Sequence, residues 1–403
     1  MIRTVEQHRA VVAALVPAQP AEVVPLAQAR GRVLAEDVVA GVSLPSFENS
    51  AMDGYAVRAA ELAGAGEDAP VVLPVATDIP AGRTEVPALA PGTTARIMTG
   101  APMPAGADAV VPVELTDGGT ERVALRHAPE PGVHVRRIGE DVLAGRVVID
   151  AGTVLQAAQI GIAAAVGLAE LPVRRRPVVL VLSTGSELVA PGTPLQPGQI
   201  YESNGPMLAA AVEEAGGVAE LLRFVPDDVE EFLTRLGERA KGVDLVLTSG
   251  GVSMGAYEVV KDAFTGRGVE FVKVGMQPGG PQGAGRLDEL GGVAVVTLPG
   301  NPVSSQVSFE VFVRPALRAA LGHPHPERPV VTATLGERWT SPAGRRQFRR
   351  GVLDAVRGTV SEVGNPASHL LAALARAECL VVVPAEVTDL AEGSAVEVWL
   401  LDG

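Results

Sequence analysis

Between residues 177 and 320 the chain alternates two hydrophobic periods. Short, mostly apolar runs at 178–182, 218–224, 244–248, 269–274 and 293–298 read as strands, and amphipathic stretches at about 204–215, 228–240, 256–264 and 302–320 read as helices. Alternation at this spacing implies βαβ units, a doubly wound and mainly parallel α/β sheet with its ligand crevice at the carboxyl ends of the strands. Three strands run into small-residue loops at that end. Pro177–Leu182 leads into STGSE (Ser183–Glu187), the strand within Asp244–Glu258 into Ser249, Gly250 and Gly251, and Val293–Leu298 into PGNPVSS (Pro299–Ser305). Glycine lets such loops turn sharply and bring backbone N–H groups close to an anion, so they are candidate phosphate cradles.

The flanking text has other periods. Residues 4–15 predict a helix, with Thr4 as its cap and Gln7 completing a capping box. A second helical stretch, Leu26–Leu34, is followed by SFENSAMDGYAVR (Ser46–Arg58), where polar turn residues crowd around Asp53. From about 70 to 150 short strands alternate with Pro/Gly turns, which predicts an inserted all-β module. In it, Arg96–Asp108 is a strand ending in a small-residue loop that presents Thr99 and Gly100. Val154–Val166 predicts a helix packing back on the N-terminal helices. After the Pro-rich linker Gly322–Pro329 the tail returns to β text with one helix near 368–377. His323 and His325 alternate with prolines there and read as linker rather than metal ligands. The predicted division is 1–44 with 147–176, a helical N-terminal part; 45–146, the β module; 177–327, the α/β domain; and 328–403, a small β domain.

Composition narrows the classes. Of 403 residues 47% are hydrophobic, 20% charged and only 3% aromatic, with 46 Gly and 32 Pro. Mean hydropathy is +0.26. The cores must therefore be built from Val, Leu and Ala in a folded globular chain. A net charge of −14 argues against nucleic acid or an anionic membrane as the main partner. The lone Cys379 excludes an internal disulfide, and in CLVVVP it reads as a small buried hydrophobe. No apolar run approaches the roughly 18 residues of a membrane helix and MIRTVEQHRA has no apolar leader core, so a cytoplasmic protein is expected. A G-x-x-x-x-G-K-[ST] loop is missing, which disfavours a nucleotide hydrolase.

Six strings, taken together, resemble one family in order and at family-like spacing: NSAMDGYAV (Asn49–Val57), RIMTGAPMPAGADAVV (Arg96–Val111), STGSEL (Ser183–Leu188), SNGPML (Ser203–Leu208), DLVLTSGGVS (Asp244–Ser253) and LPGNPVSS (Leu298–Ser305). The family is the molybdopterin molybdenumtransferases, or molybdenum insertases, which include the C-terminal part of gephyrin. The resemblance spans essentially the whole chain. It implies a four-part homodimer that joins molybdate to the dithiolene sulfurs of adenylylated molybdopterin and releases AMP with Mg²⁺ present. It also implies a site shared between the α/β part of one subunit and the β module of the other, and a possible molybdopterin adenylyltransferase partner. Carried over by motif, Thr99, Gly100, Thr184, Gly185, Ser249, Gly250, Gly251, Ser253, Pro299, Gly300, Pro302 and Ser304 would bind the pterin and its phosphates. Asp53, Glu187, Glu258 and Asp227 (or its neighbour Asp228) would be catalytic, with Asp53, Glu187 and Glu258 on Mg²⁺. Taken alone, Glu187 and Glu258 read more simply as charge compensation at helix starts.

The sequence also departs from the family. Text resembling KPGKP, whose lysines help to hold molybdate, is here Gln277-Pro278-Gly279-Gly280-Pro281, and GDxD-like text is Gly255-Ala256-Tyr257-Glu258. Losing two charge-assisted partners costs on the order of 1.5–3 kcal/mol each. Lys273, Arg350 and Ser368 are the remaining candidate oxyanion ligands, with Gln277 as a neutral donor. The alternative is a divergent paralogue that binds molybdopterin, or acts as a scaffold, without inserting the metal.

Overall fold

The computed structural model describes residues 2–185, 187–222, 228–250 and 259–401. At its centre lies a seven-stranded sheet in the spatial order Ile2–Arg3, Val269–Val274, Pro281–Leu287, Val293–Leu298, Leu245–Ser249, Val178–Ser183, Val218–Leu222. Its faces follow the two-residue period of a strand. Val179, Val181, Leu245, Leu247, Ala294 and Val296 enter one core, and Leu180, Leu182, Val246, Val293 and Val295 enter the other. Helices Asn204–Glu214 and Pro302–Ser308 cover the first face, while Val229–Arg239 and Val259–Phe264 cover the second, so the sheet is doubly wound. The last helix of the first face continues from Pro302–Ser308 through a π turn at Phe309–Val313 into Arg314–Ala320.

Register brings the loops together. Ser183 lies opposite Ser249 and Ser249 opposite Leu298, all in parallel pairs, so these three strands end level and their loops emerge side by side. Beyond Val293–Leu298 the sheet turns antiparallel through Pro281–Leu287. That strand has turn-like text, PQGAGRL, for a packing reason. A Cβ on Gly283 would stand 2.2 Å from Thr297 Oγ1, and one on Gly285 2.0 Å from the Gly268 carbonyl.

The first helix, Val5–Leu15, has the predicted capping box: Gln7 N donates to Thr4 Oγ1 at 3.2 Å and Thr4 N to Gln7 Oε1 at 2.9 Å. Its buried Val5, Val12 and Leu15 join the α/β core. The second helical stretch is shorter than predicted, Leu26–Ala29, because the chain turns through a left-handed Gly31. Around it Val24, Leu34, Ile149, Leu155, Ala163 and Leu171 make a separate core that includes the helix Ala157–Ala165.

The β module is a five-stranded sheet in the order Ala109–Pro112, Gly54–Val57, Thr94–Ile97, Val71–Ile79, Arg122–Leu125. The C-terminal part is a closed five-stranded barrel, since Arg346–Asp354 pairs with both Thr359–Glu362 and Cys379–Val383. Closure removes the exposed strand edges. The barrel is joined to the α/β domain twice over. Met276–Gln277 adds to it in parallel beside Arg346–Gln347, and Phe348, Leu380, Val382 and Trp399 belong to the α/β core. Cys379 faces the barrel interior, where burial pushes its thiol up to about 11, well away from nucleophile chemistry. Only Leu371–Leu374 of the predicted 368–377 stretch is helical.

Candidate functional site

The three strand-end loops pack against one another through backbone and small polar groups. Thr184 N donates to the Ser249 carbonyl at 3.2 Å and Gly250 N to the Leu298 carbonyl at 3.0 Å. Gly250 has φ +96, and a Cβ there would lie 3.0 Å from both oxygens of Thr184, so only glycine fits the turn. Asn204, at the start of its helix, ties the neighbours together: Nδ2 donates to Ser249 Oγ at 2.8 Å and to the Gly300 carbonyl at 2.7 Å. Ser305 Oγ reaches Ser249 Oγ at 3.2 Å. The Asn204 Oδ1 is buried without a hydrogen-bond partner, an orphaned acceptor within this cluster.

Beside this cluster a cavity of about 480 Å³ opens between the α/β domain and the barrel, lined by Gln277, Pro278, Gly279, Pro281, Pro299, Gly300, Asn301, Ser304, Pro366, Ala367, Ser368 and His369. Its two walls are pinned across the domain boundary. Asn301 Nδ2 donates to Ser368 Oγ at 2.9 Å, and Val303 N to the Ser368 carbonyl at 3.1 Å. The neutral polar residues Gln277, Asn301, Ser304 and Ser368 thus line a space of ligand size.

A second cluster lies in the β module. Asp53 Oδ1 accepts from Thr99 N at 2.6 Å and from Thr99 Oγ1 at 2.9 Å, and these bonds, the amide first, hold its carboxyl below the usual carboxylate range. Gly100, at φ +80, completes the turn by donating to the Ser50 carbonyl at 2.8 Å. Asp53, Thr99 and Gly100 are thus brought together.

Comparison with known proteins gives three family models that cover nearly the whole chain: "MoeA N-terminal region (domain I and II)" over residues 3–167, "Probable molybdopterin binding domain" over 180–319 and "MoeA C-terminal region (domain IV)" over 332–401. Molybdopterin molybdenumtransferase 2 of Mycobacterium tuberculosis is 56% identical over 405 residues, covering 99% of each chain. The chain belongs to the molybdopterin molybdenumtransferase family. The molybdopterin molybdenumtransferase of Haemophilus influenzae is 35% identical over 93% of this chain and 92% of that one. Among solved structures, the molybdopterin biosynthesis MoeA protein from Pyrococcus horikosii superposes with a TM-score of 0.85 at 32% identity, covering 100% of both chains. Family membership makes the chain a transferase of molybdenum cofactor biosynthesis and disfavours the scaffold alternative.

Beyond the Asp53–Thr99–Gly100 turn, the other residues expected at the site are only partly brought together. Thr184, Ser249, Gly250, Pro299, Gly300, Pro302 and Ser304 belong to the convergent loops, and Gln277 and Ser368 line the adjoining cavity. Gly185 and Glu187 follow the first strand and are exposed, with a Cβ on Gly185 meeting the Glu187 carboxylate at 2.6 Å. Lys273 and Arg350 do not line the cavity. Lys273 is exposed in its strand opposite Pro281 and Ile2, and Arg350 is buried behind the loop, donating to the carbonyls of Asn365 and Ala367, with burial lowering its pKa. Asp227, Gly251, Ser253 and Glu258 lie outside the described residues. Asp228 caps the next helix through Glu231 N at 2.9 Å.

Asn204, Asn301 and His369 were not singled out. The first two sit inside quoted motifs, SNGPML and LPGNPVSS, where an amide next to a glycine turn was the available signal. Among the described residues no three His, Cys, Asp or Glu side chains converge as a metal cluster, and no helix is long and apolar enough to cross a membrane.

Proposed function

We propose that this chain inserts molybdate into adenylylated molybdopterin: the two dithiolene thiols bind molybdenum in place of one oxo ligand, which leaves with their protons as water, and water cleaves the phosphoanhydride to release AMP. The observation that carries the reading is a cluster of three strand-end loops beside a cavity, with the third loop, residues 299–304, lining it together with residues 277–281 and the barrel-side loop at Ser368. On this reading the backbone and hydroxyls around Thr184, Ser249, Gly250 and Gly300 bind the pterin and its phosphates. Gln277, Asn301, Ser304 and Ser368 hold the oxyanion by neutral hydrogen bonds. Catalysis is then mainly orientation of two anions in a fixed geometry.

Mg²⁺ is held by one or two carboxylates together with substrate phosphates, and the exposed Glu187 beside the loop cluster would be one of them, with Asp53 of the partner subunit and Glu258, outside the described residues, as the further candidates. When bound, the ion supplies charge neutralisation on the departing phosphate. We also propose a cytoplasmic homodimer in which the Asp53–Thr99 turn of one copy completes the site of the other, with the adenylylated pterin delivered by an adenylyltransferase, and the four-part division 1–44 with 147–176, 45–146, 177–327 and 328–403, corrected in that Ile2–Arg3 and Val5–Leu15 join the sheet and core of the α/β domain.

Reconstitution tests the reading. Protein, adenylylated molybdopterin, molybdate and Mg²⁺ are added to a molybdenum-free apo-molybdoenzyme. Activity should appear only in the complete mixture and fall on chelation of Mg²⁺; an apoenzyme that stays inactive in the complete mixture overturns insertion.

A further inference from the structure

The cavity below Ser368 presents an electrostatic problem. Molybdate is a dianion, yet Gln277, Asn301, Ser304 and Ser368 are neutral donors, and the other lining residues are Pro, Gly and Ala apart from one. That one is His369, the single described lining residue whose side chain can carry positive charge. We infer that His369, the one described side chain of the lining that can carry positive charge, is a direct ligand of molybdate in this chain. The inference rests on the molybdate-insertion reading given above.

Geometry favours a binding role for this histidine. It is exposed at the cavity, while its backbone is fixed on both sides: Ser368 is held by Asn301 Nδ2 at 2.9 Å and by Val303 N at 3.1 Å, and Leu371 N donates to the His369 carbonyl at 2.9 Å. A packing histidine in the same chain has a different setting. His8 is wholly buried, edge-on to Phe312 with ring centroids 4.7 Å apart.

The neighbouring charges do not take over the task. Arg350 supports the same loop from behind through the carbonyls of Asn365 and Ala367. Arg346, in the strand register that continues to Gln277, is paired with Glu6 at 2.6 Å. Lys273 is exposed in its own strand and outside the lining. Glu258 lies outside the described residues. A cation beside neutral donors turns an ordinary hydrogen bond to the oxyanion into a charge-assisted one, worth about tenfold to a hundredfold in affinity.

The test compares the full-length wild type with His369→Ala and His369→Lys. Molybdate KM is read from AMP release, molybdate Kd from calorimetry, and the Kd for adenylylated molybdopterin serves as the control for the fold. His369→Ala should weaken molybdate binding by about tenfold to a hundredfold. His369→Lys should bind molybdate at least as tightly as the wild type, and pterin affinity should stay unchanged in both variants. An alanine variant with wild-type molybdate affinity overturns the inference. If the wild type released no AMP at all, the insertion reading would fail, and the calorimetric comparison would still decide whether His369 binds the oxyanion.

Discussion

Asp53 uses one carboxylate oxygen to hold the Thr99 amide and hydroxyl, and its second oxygen takes no part in that turn. Asparagine keeps an acceptor for Thr99 but removes the charge. Asp53→Asn should therefore reduce AMP release by at least about a hundredfold while the thermal midpoint stays close to that of the wild type, since exposed substitutions away from packed features usually move stability by no more than about 0.5 kcal/mol. Wild-type turnover in that variant would remove Asp53 from the site. Part of the local geometry was legible at this scale. The Ser249–Gly250 turn could be read from residue type because its conformation admits only glycine, whereas Asp53 among turn residues reads equally well as a local cap, and the family resemblance is what marks it as a site candidate. Arg350 was not legible in the same way. Sequence identifies a guanidinium near the cavity, but which carbonyls it meets depends on the path of the 365–367 loop.

Elements were legible where one local period decided them. The capping box at Thr4 and the helices Asn204–Glu214 and Val229–Arg239 follow from caps and apolar spacing. The strand Pro281–Leu287 was hidden because glycines chosen for close backbone approach also look like turn punctuation. Pairing direction was hidden too, since an apolar run buried on both faces has the same text whether its neighbour is parallel or antiparallel.

One element carries a pH prediction. In the helix Val5–Leu15, His8 is buried, and burial first, then the Arg3 charge, lower its pKa to about 4. Arg3 Nη1 lies 3.4 Å from Nδ1, and because a guanidinium cannot accept a hydrogen bond it donates to the neutral ring. The folded state therefore resists a proton that the unfolded chain takes up near pH 6.5, so this contribution is complete above that pH and lost as pH falls towards 4. The full loss is about 3 kcal/mol, with about 2 kcal/mol of it between pH 7 and pH 5. Urea unfolding at the two pH values should show a smaller difference in His8→Leu than in the wild type; equal differences would contradict the assignment.

At the scale of the molecule, the α/β domain and the barrel share one core and one paired strand edge, and the cavity lies along that junction. The barrel strands could be counted in sequence, but neither their closure nor the burial of Phe348 and Trp399 against the neighbouring domain could, because both depend on contacts far apart in the chain. On the proposed reading the junction matters because the oxyanion donors come from both domains, Gln277, Asn301 and Ser304 from the α/β side and Ser368 from the barrel side, with Asn301 hydrogen-bonded to Ser368 across the boundary. The most direct measurement is AMP release from the purified protein given adenylylated molybdopterin and Mg²⁺ while molybdate is titrated. The account predicts saturable, molybdate-dependent release, with an active site that holds its oxyanion without lysine at 277 or 280. Tight binding of adenylylated molybdopterin with no AMP released at any molybdate concentration would contradict it.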